Sequence, residues 1–131
     1  MKKLKLIFFL AACISTNVAK AEWIKFTVPE EPGESYFYDK KRIIKNQKTV
    51  AVWEKHNLQH FGGVDGMRYK SVLRRLLIDC STYRYDVTSI RHYSEIDLVG
   101  SMKKQEFDGK DFMDIPMDSS VEILAGLVCK K

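Results

Sequence analysis

The sequence predicts an α+β fold: a β-rich body with one helix at its C-terminal end, packed on a sheet. Three observations predict it. Several short segments alternate apolar and polar residues at the strand period, as in Trp23–Val28 and Tyr83–Val87. Turn-forming residues separate them. A capping-box pattern, Ser119 to Glu122, then opens a run with apolar residues at three- and four-residue steps, the period of a helix. A length of 131 residues allows one domain. With 45% apolar and 30% charged residues, and 11% aromatics, the composition is that of a globular protein and not a disordered one. There is no stretch of 18 apolar residues, which excludes a multispanning membrane protein.

Residues 1–21 read as an export signal. Lys2, Lys3 and Lys5 form a positive start, Leu6 to Ile14 is apolar, and Ala19-Lys20-Ala21 places small residues where a signal peptidase reads them, before Glu22. The alternative is a lipoprotein leader, residues 1–12, on the pattern Leu10-Ala11-Ala12-Cys13, with Cys13 lipidated. The apolar run before Cys13 is short, and Ala21 directly precedes the first residues that look folded, so the cut after Ala21 is preferred. The mature domain is then 22–131. Membrane association is expected only through such a lipid anchor.

Processing changes the charge. The whole chain carries 22 basic and 17 acidic residues, a net of +5. Lys2, Lys3, Lys5 and Lys20 leave with the leader, lowering the basic count from 22 to 18 and the net to +1. With the cut before Cys13, Lys20 stays and the net is +2. A near-neutral exported domain is a poor candidate for nucleic acid, which demands a basic surface.

The strands follow in order. Trp23–Val28 ends at Pro29 and at Pro32-Gly33; Ser35–Asp39 is aromatic and β-prone; Lys40–Lys48 is a basic connection; Thr49–His56 is rich in β-formers. Leu58–Asp65 reads as a loop marked by Gly62, Gly63 and Gly66. Met67–Cys80 is ambiguous: Val72, Leu73, Leu76, Leu77 and Ile78 fit a helix, while Val72, Leu76, Ile78 and Cys80 share a strand face with Arg74 as the exception. The β-rich run from Tyr83 to Tyr93 slips in period near Thr88–Ile90, where a bulge is expected. Val99–Phe107 is a further strand, and residues 108–118 are acidic and turn-like.

The closing helix presents Val121, Leu124, Ala125, Val128 and Cys129 on one side. At about ten residues it is marginal alone and must pack on the sheet. Cys80 and Cys129 are the cysteines left once Cys13 is removed or lipidated. In an oxidising compartment they suggest one disulfide; two buried thiols are the alternative. A metal site is disfavoured, since neither Cys has a second ligand at a matching spacing.

Other chemistry is sparse. His56 and His60 are four apart but fall at a strand end and in a loop; His92 reads as a sheet-surface residue. Asp79 beside Cys80 would raise a thiol pKa and oppose thiolate formation. No catalytic motif, metal set or cofactor loop is present, so neither an enzyme nor a bound cofactor is expected. Charge is uneven: basic over 40–75, acidic over 95–122. Solvated, partly paired faces explain this plainly. A basic strip of Lys40, Lys41, Arg42, Lys45 and Lys48 with Arg74 and Arg75, steering an acidic partner, is the sharper expectation.

The mature chain also resembles the surface-adhesin protein E family of exported bacterial proteins. The resemblance rests on Trp23, Tyr38-Asp39 before a basic connector, Val50-Ala51-Val52-Trp53, and Ser71 leading to Asp79-Cys80. Tyr93, Gly100, Ile115-Pro116 and a short helix ending in Cys129 complete it. It implies a single curved antiparallel sheet of about six strands, with the C-terminal helix held on the concave face by a Cys80–Cys129 disulfide. It also implies a host extracellular-matrix or serum protein as ligand and a capacity to form homodimers; the alternative expectation is a periplasmic structural or accessory protein that binds another envelope component. The implied address is the periplasm, outer membrane or cell surface of a Gram-negative bacterium. The connector lacks an expected glycine at Asn46-Gln47, and Pro116 stands two residues before Ser119, not one. No ligand-binding residue is carried over.

Overall fold

The computed structural model describes residues 20–130. The expectations on the leader and on Cys13 lie outside the described residues. Strands β1 (Trp23–Phe26), β2 (Ser35–Asp39), β3 (Ile44–Lys45), β4 (Thr49–Val64), β5 (Met67–Asp79), β6 (Arg84–Glu95), β7 (Val99–Glu106) and β8 (Met113–Asp114) precede one helix, α1 (Ser120–Val128). They form one antiparallel sheet in the order β1-β2-β4-β5-β6-β7, with β3 on β4 and β8 on β6. The three long strands β4 to β6 make the body. Each outer one is flanked by two shorter strands in tandem: β2 and β3 along β4, β7 and β8 along β6.

The helix packs on one face only. Val50, Val52, Leu76, Ile78 and Tyr85 from the sheet meet Val121, Leu124, Ala125 and Val128 of α1 in the core. Burial of this apolar stripe, not intrinsic propensity, holds so short a helix. Ser119 is its N-cap, its hydroxyl accepting the Glu122 N–H at 3.2 Å. The Glu122 carboxylate reaches back to the amide of Asp118, one residue before the cap. Beyond the helix, Cys129 is bonded to Cys80, whose Cα lies 5.7 Å away. The open disulfide-or-thiol choice is thus resolved as a disulfide.

Four expectations are corrected or sharpened. The ambiguous Met67–Cys80 segment is strand β5 to Asp79, because its alternate residues Leu76 and Ile78 enter the core. The expected loop at Leu58–Asp65 is instead the continuation of β4 to Val64, with a register shift between Asn57 and Gly62. The real turn is the two-residue pair Asp65-Gly66, with φ of 44° and 78°, the left-handed geometry that suits strand twist. Within the turn-like acidic stretch, Met113–Asp114 pairs with Arg84–Tyr85 as β8. The expected slip near Thr88 is a bulge: Arg75 faces Ser89 and Leu76 faces Val87, so Thr88 is the extra residue.

Candidate functional site

The sheet presents two unlike faces. On the helix face, beyond the N-terminal end of α1, lies a cleft of about 600 Å³. Cross-strand register builds its walls: Tyr36 faces His56, His56 faces Val72, and Val72 faces His92. Tyr36 stacks on His56 with centroids 4.1 Å apart, and Tyr69 meets His92 edge-on at 4.4 Å. His92, expected as a plain surface residue, is a half-buried wall of this cleft, and burial lowers its pKa below the ordinary value.

Arg74 forms part of the floor. Its guanidinium donates two hydrogen bonds to Glu54 Oε1, at 2.6 and 3.0 Å, and one to the Ser120 hydroxyl at 3.3 Å. Glu54 is 1% exposed, and its second oxygen has no hydrogen-bond partner. Burial pulls the Arg74 pKa down, but the Glu54 carboxylate outweighs it and holds the guanidinium above its usual value. Tyr36 is pushed above the ordinary phenol range by burial and by donating its hydroxyl proton to Glu31. The Ser119 hydroxyl donates to the Pro116 carbonyl and caps the helix. The cleft therefore offers aromatic walls and engaged polar groups, an arrangement for binding.

The expected basic strip is not brought together. Lys40, Lys41 and Arg42 form an exposed 3-10 turn after β2. Asp39 sits beneath it, fully buried, accepting from the backbone of Glu22 and Lys41 and from the Arg42 side chain. Lys45 and Lys48 lie at the other end of the connector, beside a second cavity of about 420 Å³ that also borders Cys80, Cys129 and Lys130. Arg74 points to the helix face. Arg75, its neighbour, points to the opposite, open face and donates to the Thr88 hydroxyl at 3.1 Å. Adjacent residues of a strand face opposite ways, so a charge run within β5 cannot make one patch.

Cations that the sequence left unconnected do share the open face. Lys25, Lys55, Arg91 and Lys104 fall in one cross-strand row through the pairs Lys25–Phe37–Lys55–Leu73–Arg91–Lys104. Only strand register places them together, and a single sequence does not give register across five pairings. His56 and His60 both belong to β4, not to a strand end and a loop; His56 Nε2 stands 3.4 Å from Glu34 Oε2. Among the described residues, no group of three His, Cys, Asp or Glu stands close enough to hold a metal. Asp79 is engaged by the turn after β5, accepting from Ser81 and Thr82, and these bonds lower its pKa.

Comparison with known proteins agrees with this architecture. A family model described as surface-adhesin protein E matches residues 23–130. No curated protein matches the chain. Crystal structures of protein E from Haemophilus influenzae share the fold. The selenomethionine form is 15% identical, with 84% of this chain and 87% of that chain covered and a TM-score of 0.61. A second crystal form is 16% identical, covering 81% and 95%, with a TM-score of 0.58. The protein from a non-typeable strain is 16% identical, covering 84% and 85%, with a TM-score of 0.54.

Proposed function

The chain belongs to the surface-adhesin protein E family, and from that we propose that it is an exported binding module whose ligand is a host extracellular-matrix or serum protein. The carrying observation is the family match across residues 23–130, essentially the whole folded domain. Membership implies an exported protein of a Gram-negative cell and a non-enzymatic role. The site geometry is consistent with that role: a cleft walled by packed aromatic rings, with Ser119 committed to capping the helix and Ser120 to Arg74. In this reading the exposed turn Lys40–Arg42 steers an acidic partner. Reversing Lys40 and Lys41 to Glu then slows association at low salt and has little effect at high salt.

The test is binding of the oxidised mature domain to a panel of purified matrix and serum proteins. Saturable binding to at least one, lost in a Cys80→Ala/Cys129→Ala variant, supports the reading. No binding to any member, with the folded state confirmed, refutes it. A second reading, a periplasmic accessory protein that binds an envelope component, has one observation in its favour. The Glu22 nitrogen donates to Asp39 at 3.0 Å, so a chain cut after Ala21 would set its new amino group against that buried carboxylate. Intact mass of the protein isolated from cells decides the form: an unmodified chain starting at Glu22, or one carrying lipid on Cys13.

A further inference from the structure

We propose that the open face of the sheet is a binding track for a linear sulfated polysaccharide. The proposal does not depend on a protein ligand; it rests on how this face holds its charge. The row Lys25–Phe37–Lys55–Leu73–Arg91–Lys104 crosses all six strands of the main path. At the usual spacing between strands it is about 24 Å long. It contains four cations and no carboxylate. Tyr36, Glu54 and Val72, the neighbours of its members along the strands, face the helix side, so the row faces away from α1.

Aromatic rings hold two of these cations, Lys55 and Arg91, in place. Lys55 Nζ lies 4.9 Å from the Trp23 ring centre and 4.5 Å from that of Phe37. Arg42 and Arg91 lie 5.5 and 5.6 Å from the ring centre of Trp53, in the next row. Arg75, beside Trp53, is held by the neutral Thr88 hydroxyl. A ring or a hydroxyl orders a cation without cancelling its charge, which a carboxylate would do. Ordering in advance also lowers the entropy lost on binding. Arg91 Nε is buried and has no hydrogen-bond partner, so its charge is not cancelled from within. The acids on this face include Asp39 under Arg42, the buried Asp86 opposite Leu77, Asp97, 3.5 Å from Lys55, and Glu106, 2.9 Å from Lys104. Asp97 and Glu106 are more than half exposed; the Lys104–Glu106 pair, exposed on both sides, is worth little and yields to a competing anion, whereas the Lys55 side chain is only 10% exposed and adds its charge from beneath the surface.

The ligand class follows from what the face lacks. Protein hot spots fill desolvated pockets; the clefts at the two ends of α1 are lined by other residues, and of the row only Lys25 borders a small cavity of about 210 Å³. Single-stranded nucleic acid needs free ring faces for stacking, and here the rings carry cations. A regularly charged polymer needs neither. Arg91 and Lys104 sit on adjacent strands, so the row asks for closely spaced anions. Several sulfates per repeat meet that demand, whereas one carboxylate per repeat does not.

The probe is a heparin octasaccharide, titrated into the folded mature domain. Saturable binding is expected, weakening steeply with salt as roughly three to four counterions are released. Lys25→Gln with Lys104→Gln should weaken it at least tenfold, while Lys45→Gln with Lys48→Gln, at the far end of the connector, should change it less than twofold. Should the first pair melt early, Lys25→Gln alone, at an exposed edge position, carries the test with an expected threefold loss. The proposal is overturned by no binding at low salt, or by equal losses in the two pairs. It is equally overturned if desulfated octasaccharide or single-stranded DNA of matched charge binds as tightly.

Discussion

Asp39 is the residue on which the N-terminal edge depends. A fully buried carboxylate is tolerable only when paired, and it has three donors: the Glu22 and Lys41 amides and the Arg42 guanidinium. Burial raises its pKa, but these donors, Arg42 first, outweigh burial and leave it below the usual value. A carboxyl more acidic folded than unfolded contributes stability above its unfolded pKa, near 4, and that share vanishes as pH falls through its folded pKa. Asp39→Asn should cost about 1–3 kcal/mol at neutral pH and flatten the acid limb of stability against pH, as read by urea unfolding at stepped pH. Glu54 and Arg74 make the other buried pair. Arg74→Ala strands Glu54 and should cost about 3–5 kcal/mol, whereas Glu54→Leu with Arg74→Met should recover most of it. In the sequence Arg74 is visible as the misfit on an apolar strand face. Its partner, twenty residues earlier, is not.

Among the elements, the β4–β5 hairpin shows where sequence reading succeeds and where it stops. Alternation marks Thr49–His56, and the core residues of β5 are evident once it is read as a strand. The stretch between Asn57 and Gly62 breaks the period, so glycines there look like a loop when they serve a bulged strand. Gly62 has a steric role: a Cβ there would lie 2.3 Å from Tyr69 Cζ. Tyr69 is held in turn by edge-on packing against His92. Gly62→Ala should therefore cost about 1–2 kcal/mol and shift the His92 ring resonances. Gly63→Ala, which meets nothing within 4 Å, should stay within about 0.5 kcal/mol. The helix was legible throughout, because cap, period and apolar face agree in nine consecutive residues. The cleft was not, because its walls come from β2, β4, β5 and β6 and meet only through register.

For the whole molecule, one covalent bond fixes how helix and sheet stay together. Chain-entropy reasoning gives closure of the 49-residue interval between Cys80 and Cys129 about 4 kcal/mol, a large part of what a domain this size has to spare. Reduction should lower the thermal midpoint sharply, and differential scanning calorimetry with and without reductant measures it. The charge of the whole molecule reads differently in three dimensions as well. Over residues 22–131 a near-neutral balance, 18 basic against 17 acidic residues, conceals a face on which cations are propped against rings.

The same bond has a mechanical consequence. Pulled between its two ends, the oxidised domain can pay out only the chain outside the Cys80–Cys129 loop. The chain between the two cysteines, a sequence separation of 49, stays hidden from the load. At about 3.3–3.6 Å per extended residue, reduction should lengthen the released contour by about 160–175 Å in a single-molecule stretching trace. Strands β6 to β8 and the helix lie inside that loop, so tension can peel β1 to β4 without drawing them into the line of force.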